Sequence, residues 1–244
     1  FLNFKAQSSP YKFCQEIFQH SNNDYVLYQA VTTLKETIVK EWSILNKSDI
    51  NFWQNFLLAF VCERKNLQKY VIEKSLQCIA VIIKRGTLDH TANDNPLQNL
   101  MANMFQLFAS NDLNMKLIGC SMMRALLYEY SSVGQTSHIK MSFEFHCKCK
   151  AHFESNGLQQ FFITTMQALQ LFNSVSTLTK EHVAVLASLL SITESILSWQ
   201  FTPKNPLRAF HSQNNETASL ILFKPGANWR ECMVNGNALE IFFN

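Results

Sequence analysis

Residues 24–45 read DYVLYQAVTTLKETIVKEWSIL, and apolar side chains return in this stretch every three or four positions. That spacing lines them along one side of an α-helix, whereas a strand would alternate apolar and polar residues. The stripe is broad, which suits a helix covered by neighbours on two sides. Its members are Leu27, Ala30, Val31, Leu34, Ile38, Trp42 and Leu45. This stretch therefore predicts a long, well-packed amphipathic helix.

Similar stripes recur along the whole chain. They predict helices at about 9–20, 24–45, 49–63, 67–85, 96–109, 113–131, 141–172, 179–200 and 219–243. Three of the starts, at 24, 67 and 113, are spaced as in two-helix solenoid repeats, whose period is roughly 40–47 residues. Only six Gly and five Pro are present, too few for the turns of a sheet protein. The sequence thus predicts an all-α fold, an α-solenoid of HEAT-type antiparallel helix pairs in a right-handed superhelical array.

Domain organisation follows from the same pattern. We expect one arch over residues 1–244 with about five repeats. Apolar segments at Phe1–Phe4 and Leu239–Phe243 predict that the arch is truncated at both ends. A polar stretch at 201–218 that contains two prolines predicts one long loop.

Charge and composition narrow the classes of partner. The formal net charge of +3 is too small to indicate a nucleic-acid-binding protein, which usually carries a strongly basic face. No apolar run approaches the roughly 18 residues that a membrane-spanning helix needs, so membrane insertion is not expected. Seven cysteines, an odd number without regular spacing, indicate reduced thiols that pack as small apolar side chains.

One short segment resembles a metal site. His146, Cys147 and Cys149 lie close together, and His152 follows. On a helix, however, side chains two positions apart point about 200° away from each other, so the two thiols cannot share an ion. We expect exposed, reduced helix cysteines instead, with no metal or other cofactor. Phosphate-binding glycine loops and nucleophile elbows are also missing, which argues against an enzyme.

The helices at 9–20 and 49–63 carry the most informative polar pattern. Their apolar sides should pack inward, through Phe13, Cys14, Ile17 and Phe18 on the first and Trp53, Phe56, Leu57 and Phe60 on the second. The outward sides then carry Lys12, Gln15, Glu16 and Gln19, and Asn51, Gln54 and Asn55. By itself this describes only a solvated helix face. In a solenoid, however, the second helix of each pair lines the concave surface where partners bind.

Several blocks of sequence resemble the amino-terminal repeats of the importin-beta superfamily. These blocks are Asp24–Ala30, Glu41-Trp42, Leu67–Val71, Lys84–Gly86 and Leu88-Asp89. Further blocks narrow the resemblance to one group of exportins: Met141–His146, Trp199, Lys224-Pro225 and Trp229–Glu231. Each block is weak alone, but together they occur in order through nearly the whole chain.

The resemblance implies a nuclear export receptor that shuttles between nucleus and cytoplasm through contacts with nuclear pore proteins. Such receptors bind the small GTPase Ran in its GTP form through their first repeats, and they bind protein cargo mostly through later repeats. For this group the cargo includes a translation initiation factor that bears a modified lysine. The resemblance gives the region for Ran-GTP, and the helical-face argument selects the residues. The predicted contacts are Lys12, Gln15, Gln19, Asn51 and Asn55.

A second interpretation remains open. A HEAT-repeat protein can also be a static scaffold that holds a complex together without nucleotide control. Preference for Ran-GTP over Ran-GDP would separate the two, since a scaffold has no reason to distinguish them.

Overall fold

The computed structural model describes residues 10–89, 96–132, 137–172, 177–202, 227, 229–235 and 238–243. All regular structure within these ranges is helical. The elements are α1 (Tyr11–His20), α2 (Asp24–Lys40), α3 (Lys47–Glu63), α4 (Lys69–Gly86), α5 (Pro96–Ala109), α6 (Leu113–Ser131), α7 (Phe143–Asn156), α8 (Leu158–Phe172), α9 (Lys180–Leu197), a π-helical turn (Glu231–Asn235) and α10 (Ala238–Phe243). The predicted all-α fold of HEAT-like paired helices is confirmed. None of these described helices combines the length and apolar content that crossing a bilayer requires.

The chain divides into two compact units, residues 1–96 and 97–244. The single arch of about five repeats over residues 1–244 stays a prediction. The predicted loop at 201–218 lies outside the described residues from 203 onward, as does the start of the helix predicted at 219–243. Where that last segment is described, it forms the π-helical turn and the short α10 rather than one continuous helix.

Side-chain caps set several helix starts. The Asn23 side chain accepts hydrogen bonds from the backbone amides of Tyr25 and Val26 and so begins α2. Thr179 caps α9, and His182 completes the reciprocal capping box. These bonds satisfy backbone donors that have no partner inside the helix.

In the first unit, ring contacts show how successive helix pairs are aligned. Tyr11 contacts Trp53 at a centroid distance of 5.9 Å, and Phe18 contacts Phe60 at 5.1 Å. Because both contacts join positions 42 residues apart, α1 and α3 run parallel, side by side. The rings of Tyr28 and Tyr70 have the same separation in sequence and join α2 to α4. This offset lies within the predicted period.

In the second unit, α6 and α9 pack against each other extensively, although α7 and α8 lie between them in the sequence. The sequence predicts one continuous helix over 141–172, and that prediction is wrong. The chain breaks at Gly157 into α7 and α8. A Cβ atom at Gly157 would lie only 3.0 Å from side-chain atoms of Leu97 and Phe153, so the close packing at the break requires glycine.

In each unit, one tryptophan is held by the same two contacts, a hydrogen bond to a carboxylate and a cation near its ring face. The Trp42 indole nitrogen donates to Asp89 at 2.7 Å, and the Arg85 guanidinium lies 5.1 Å from the Trp42 ring centroid. In the second unit, Trp199 donates to Glu154 at 3.0 Å, and the Lys150 ammonium lies 5.4 Å from its ring centroid. In both cases the cation precedes the carboxylate by four residues. The indole N–H is satisfied and the ring face is covered by a cation.

The cysteines of α7 correct another expectation. Cys147 and Cys149 are buried rather than exposed, because α7 is covered on more than one side. All seven cysteines are free thiols. Four of them, Cys14, Cys78, Cys120 and Cys149, are fully buried. Burial raises the pKa of the Cys14, Cys78 and Cys120 thiols to about 12.

We expect these three thiols to resist alkylation in the native protein at about pH 8, because the thiolate is the reactive form and a raised pKa keeps the thiol protonated. Iodoacetamide labelling followed by peptide mass spectrometry measures this directly. The half-buried Cys232 should be labelled first. A denatured control should show label on all seven positions. Native labelling of Cys78 as fast as in the denatured control would contradict the buried placement.

Candidate protein-binding surface

Helices α1 and α3 turn one side inward and the other outward. On α1, Cys14 is buried and its thiol donates to the backbone carbonyl of Ala30 in α2 at 3.6 Å. On α3, Leu57 and Val61 are buried, and α3 packs against α4. The sides that face away from α2 and α4 therefore form one layer. We call it the α1–α3 surface and define it by Lys12, Gln15, Gln19, Asn51, Phe52 and Asn55.

The five residues predicted from the sequence all have solvent access. Lys12, Gln19, Asn51 and Asn55 are exposed, and Gln15 is half-buried. The ring contacts between α1 and α3 place the two groups on neighbouring parallel helices. Their exposure agrees with the helical-face argument, while their role as contact residues stays a prediction.

Two residues on these helices lie opposite to the sequence expectation. Phe13 is 47% exposed, because it lies about 100° around α1 from Cys14 and on the side away from α3. Gln54 is buried, because it shares a stripe at positions i, i+3 and i+7 with Leu57 and Val61. Position on the helix decided burial here, and the chemical class of the side chain did not.

Phe52 is a residue of this surface that the sequence pattern did not predict. It is 45% exposed, yet its ring stacks on Phe56 at 5.7 Å and meets Trp53 edge-on at 5.3 Å. Phe56 in turn contacts Phe18 of α1 at 5.7 Å. The sequence signal for this residue was its position directly before Trp53, the first residue on the apolar side of the helix. Because its neighbours hold the ring in place, Phe52 can pack against a partner at little cost in side-chain entropy.

Arg64, just beyond α3, fixes the far end of this surface. It donates to the backbone carbonyls of Phe18 at 3.0 Å and Ser21 at 2.5 Å, and to the Asn22 side chain at 2.6 Å. The Phe18 and Ser21 carbonyls lie at the carboxyl end of α1, where helix carbonyls lack partners and the dipole favours a cation. Arg64 thus holds the end of α3 against the turn between α1 and α2.

The chemistry of the α1–α3 surface suits binding. It presents amide side chains, which both donate and accept hydrogen bonds, one ammonium group on Lys12 and a supported aromatic ring. An aromatic anchor inside a polar rim is typical of protein interfaces. Among the residues that the structure describes, no group of three His, Cys, Asp or Glu side chains is arranged to hold a metal ion.

Comparison with known proteins gives a consistent picture. The family model described as Exportin-4 matches residues 1–241. Relatives include Exportin-4 from Dictyostelium discoideum, 25% identical over 82% of this chain and 19% of its own length. Ran-binding protein 16 from Drosophila melanogaster is 23% identical over 100% of this chain and 21% of its own length. Exportin-7-B from Xenopus laevis is 21% identical over 95% of this chain and 20% of its own length. The chain spans about a fifth of the length of these curated relatives.

Proposed function

This chain belongs to the exportin-4 family, and from that premise we propose that it is the Ran-GTP-binding part of a nuclear export receptor, with the α1–α3 surface as the contact. The family is one of transport receptors, not enzymes. The name of the Drosophila relative describes Ran binding by that protein. The observation that carries the proposal is the α1–α3 surface itself, where polar side chains and the supported ring of Phe52 lie on two neighbouring helices.

The proposed mechanism is a coupling of binding free energies. Ran-GTP and cargo each favour the same arrangement of packed helix pairs, so each raises the affinity for the other. GTP hydrolysis on Ran then removes that support and releases the cargo in the cytoplasm. We further propose protein cargo that includes a translation initiation factor with a modified lysine, and passage by contacts with nuclear pore proteins. Family membership is the support for these partners and for shuttling between nucleus and cytoplasm.

Substitutions on the α1–α3 surface should weaken binding to Ran loaded with a GTP analogue. We expect the double variant Lys12→Glu, Asn55→Ala to raise the Kd at least about tenfold, which is about 1.4 kcal/mol. Phe52→Ala should have an effect of similar size, because it removes an aromatic anchor. Surface plasmon resonance with immobilised Ran, loaded separately with the GTP analogue and with GDP, provides the measurement.

A matched control uses α4 and the residue before it. The double variant Lys69→Glu, Gln68→Ala has the same charge change in the same unit, and both side chains are exposed outside the α1–α3 surface. It should bind like the unmodified chain. Equal affinity for the GTP and GDP forms would favour the static scaffold. If the folded chain bound neither form, the proposal would fail, and if both double variants lost affinity equally, the residue assignment would fail.

A further inference from the structure

A groove in the second unit is built from three helices and lies outside the proposed Ran contact. It runs between the carboxyl ends of α6 and α9, with one side chain contributed by α7. Its volume is about 420 Å³. We call it the α6–α9 groove, and it is lined by Arg124, Leu127, Tyr128, Ser131, Lys150, Ser195, Ser198, Trp199 and Gln200.

Two cations, Arg124 and Lys150, line this groove. Arg124 is exposed, and among the described residues it donates a hydrogen bond to the Ser121 hydroxyl at 3.3 Å. Lys150 is half-buried, with its ammonium 5.4 Å from the Trp199 ring centroid. Burial lowers the pKa of Lys150, while the nearby Glu154 raises it. Within the described part of the chain, neither cation lies within ion-pair distance of an acidic side chain.

Glu154, whose charge acts on Lys150, already accepts hydrogen bonds through one oxygen. The same Glu154 oxygen accepts from the Trp199 indole at 3.0 Å and from the Thr202 backbone amide and hydroxyl at 2.9 and 3.1 Å. These three donors hold the carboxylate on the Trp199 side chain. The two cations therefore retain most of their capacity for a carboxylate that enters from outside.

The serines of the groove add acceptors. Ser131 donates its proton to the Tyr128 carbonyl at 2.9 Å, Ser195 to Ser191 at 2.8 Å and Ser198 to Glu194 at 2.8 Å. Their oxygens are left with lone pairs that can accept hydrogen bonds from a donor. A small inorganic anion would pair with the cations and leave these oxygens without a donor. A peptide supplies both kinds of group, backbone N–H donors for the hydroxyls and carboxylates for the cations.

We propose that the α6–α9 groove binds an extended acidic segment of a partner protein, with its carboxylates at Arg124 and Lys150 and its backbone amides at the serine hydroxyls. Tyr128, which is 54% exposed, gives such a segment an apolar side to pack against. The inference does not rest on Ran binding, because every residue involved belongs to α6, α7, α9 or the segment that follows α9. The two proposals can therefore fail separately.

The test measures fluorescence anisotropy of a labelled eight-residue peptide of alternating glutamate and glycine, with the 244-residue chain at about 50 mM salt to limit screening. A counterpart with glutamine in place of glutamate is the neutral control peptide. We expect the acidic peptide to bind at least about tenfold more tightly than the neutral one, and Arg124→Gln and Lys150→Gln each to weaken it several-fold. Arg124 is exposed, so its variant tests the groove even if Lys150→Gln disturbs the fold.

Lys148→Gln is the matched control variant. Lys148 lies two residues before Lys150 on α7, is exposed and pairs with Glu144 at 2.7 Å outside the groove. Its loss should leave peptide affinity unchanged. The proposal is overturned if both peptides bind equally, if Arg124→Gln has no more effect than Lys148→Gln, or if inorganic phosphate displaces the acidic peptide and so reveals a simple anion site.

Discussion

Phe153→Ala is expected to lower the free energy of unfolding by about 4 kcal/mol, within the range of roughly 3–5 kcal/mol for removing a buried phenylalanine side chain. Phe153 is completely buried at the centre of the second unit. Its ring stacks on Tyr130 at 4.4 Å and meets Phe161 at 5.2 Å and Trp199 at 5.7 Å. Alanine would leave a cavity among three rings that belong to α6, α8 and the segment after α9. Because these rings are held by different parts of the chain, they cannot easily move to fill the cavity.

Urea unfolding followed by circular dichroism measures this loss. Phe153→Leu is the intermediate case, since it keeps most of the apolar volume, and its loss should be clearly smaller. Phe105→Ala is the surface control, because that ring is 54% exposed. A loss below about 1 kcal/mol for Phe153→Ala would be inconsistent with a well-packed cluster at this position.

Arg64→Ala is expected to cost about 2–3 kcal/mol, mainly by removing charge-assisted hydrogen bonds, each of which contributes roughly 1.5–3 kcal/mol when it is well formed. The guanidinium joins three oxygen acceptors on α1 and the following turn, and it also lies 5.5 Å from the Phe60 ring centroid. Without it, the carbonyls at the end of α1 must find water. The partial exposure of Arg64 is the reason for expecting less than the sum of its bonds.

Thermal and urea unfolding of Arg64→Ala and Arg64→Lys would separate charge from geometry. Lysine keeps the charge but cannot span three acceptors with a planar fork, so it should recover only part of the loss. Arg124→Ala is the matched control, since within the described ranges that arginine makes one long hydrogen bond, at 3.3 Å. If Arg64→Lys were as stable as the unmodified chain, helix-dipole electrostatics alone would account for the role of Arg64.

The fold class could be predicted from the sequence because helical periodicity and capping residues are local signals. The stripe that includes Leu27 and Leu34 needs no knowledge of distant partners, and neither does the cap formed by Asn23. The break at Gly157 could not be predicted in the same way. Its cause is the close approach of Leu97, which is 60 residues away in sequence. Leucine and phenylalanine continue the apolar stripe across the break and hide it.

The candidate surfaces show the same contrast between features that depend on local sequence and features that depend on distant neighbours. Exposure of Lys12, Gln19, Asn51 and Asn55 follows from position on a helix. The buried Gln54 and the exposed Phe13 required knowledge of which neighbours cover α3 and α1. The α6–α9 groove depends on three helices that meet only in the folded chain, so no short motif could reveal it.

Three ring contacts in the first unit join residues 42 positions apart, and this spacing has a consequence for how such a chain can change length. Duplication or loss of one complete helix pair would reproduce the same ring contacts between neighbouring pairs and leave the remaining contacts in register. An insertion of one residue inside α3 would instead rotate everything after it by about 100° and turn Phe60 away from Phe18. Heritable length variation should therefore concentrate in the connections, or arrive as whole pairs.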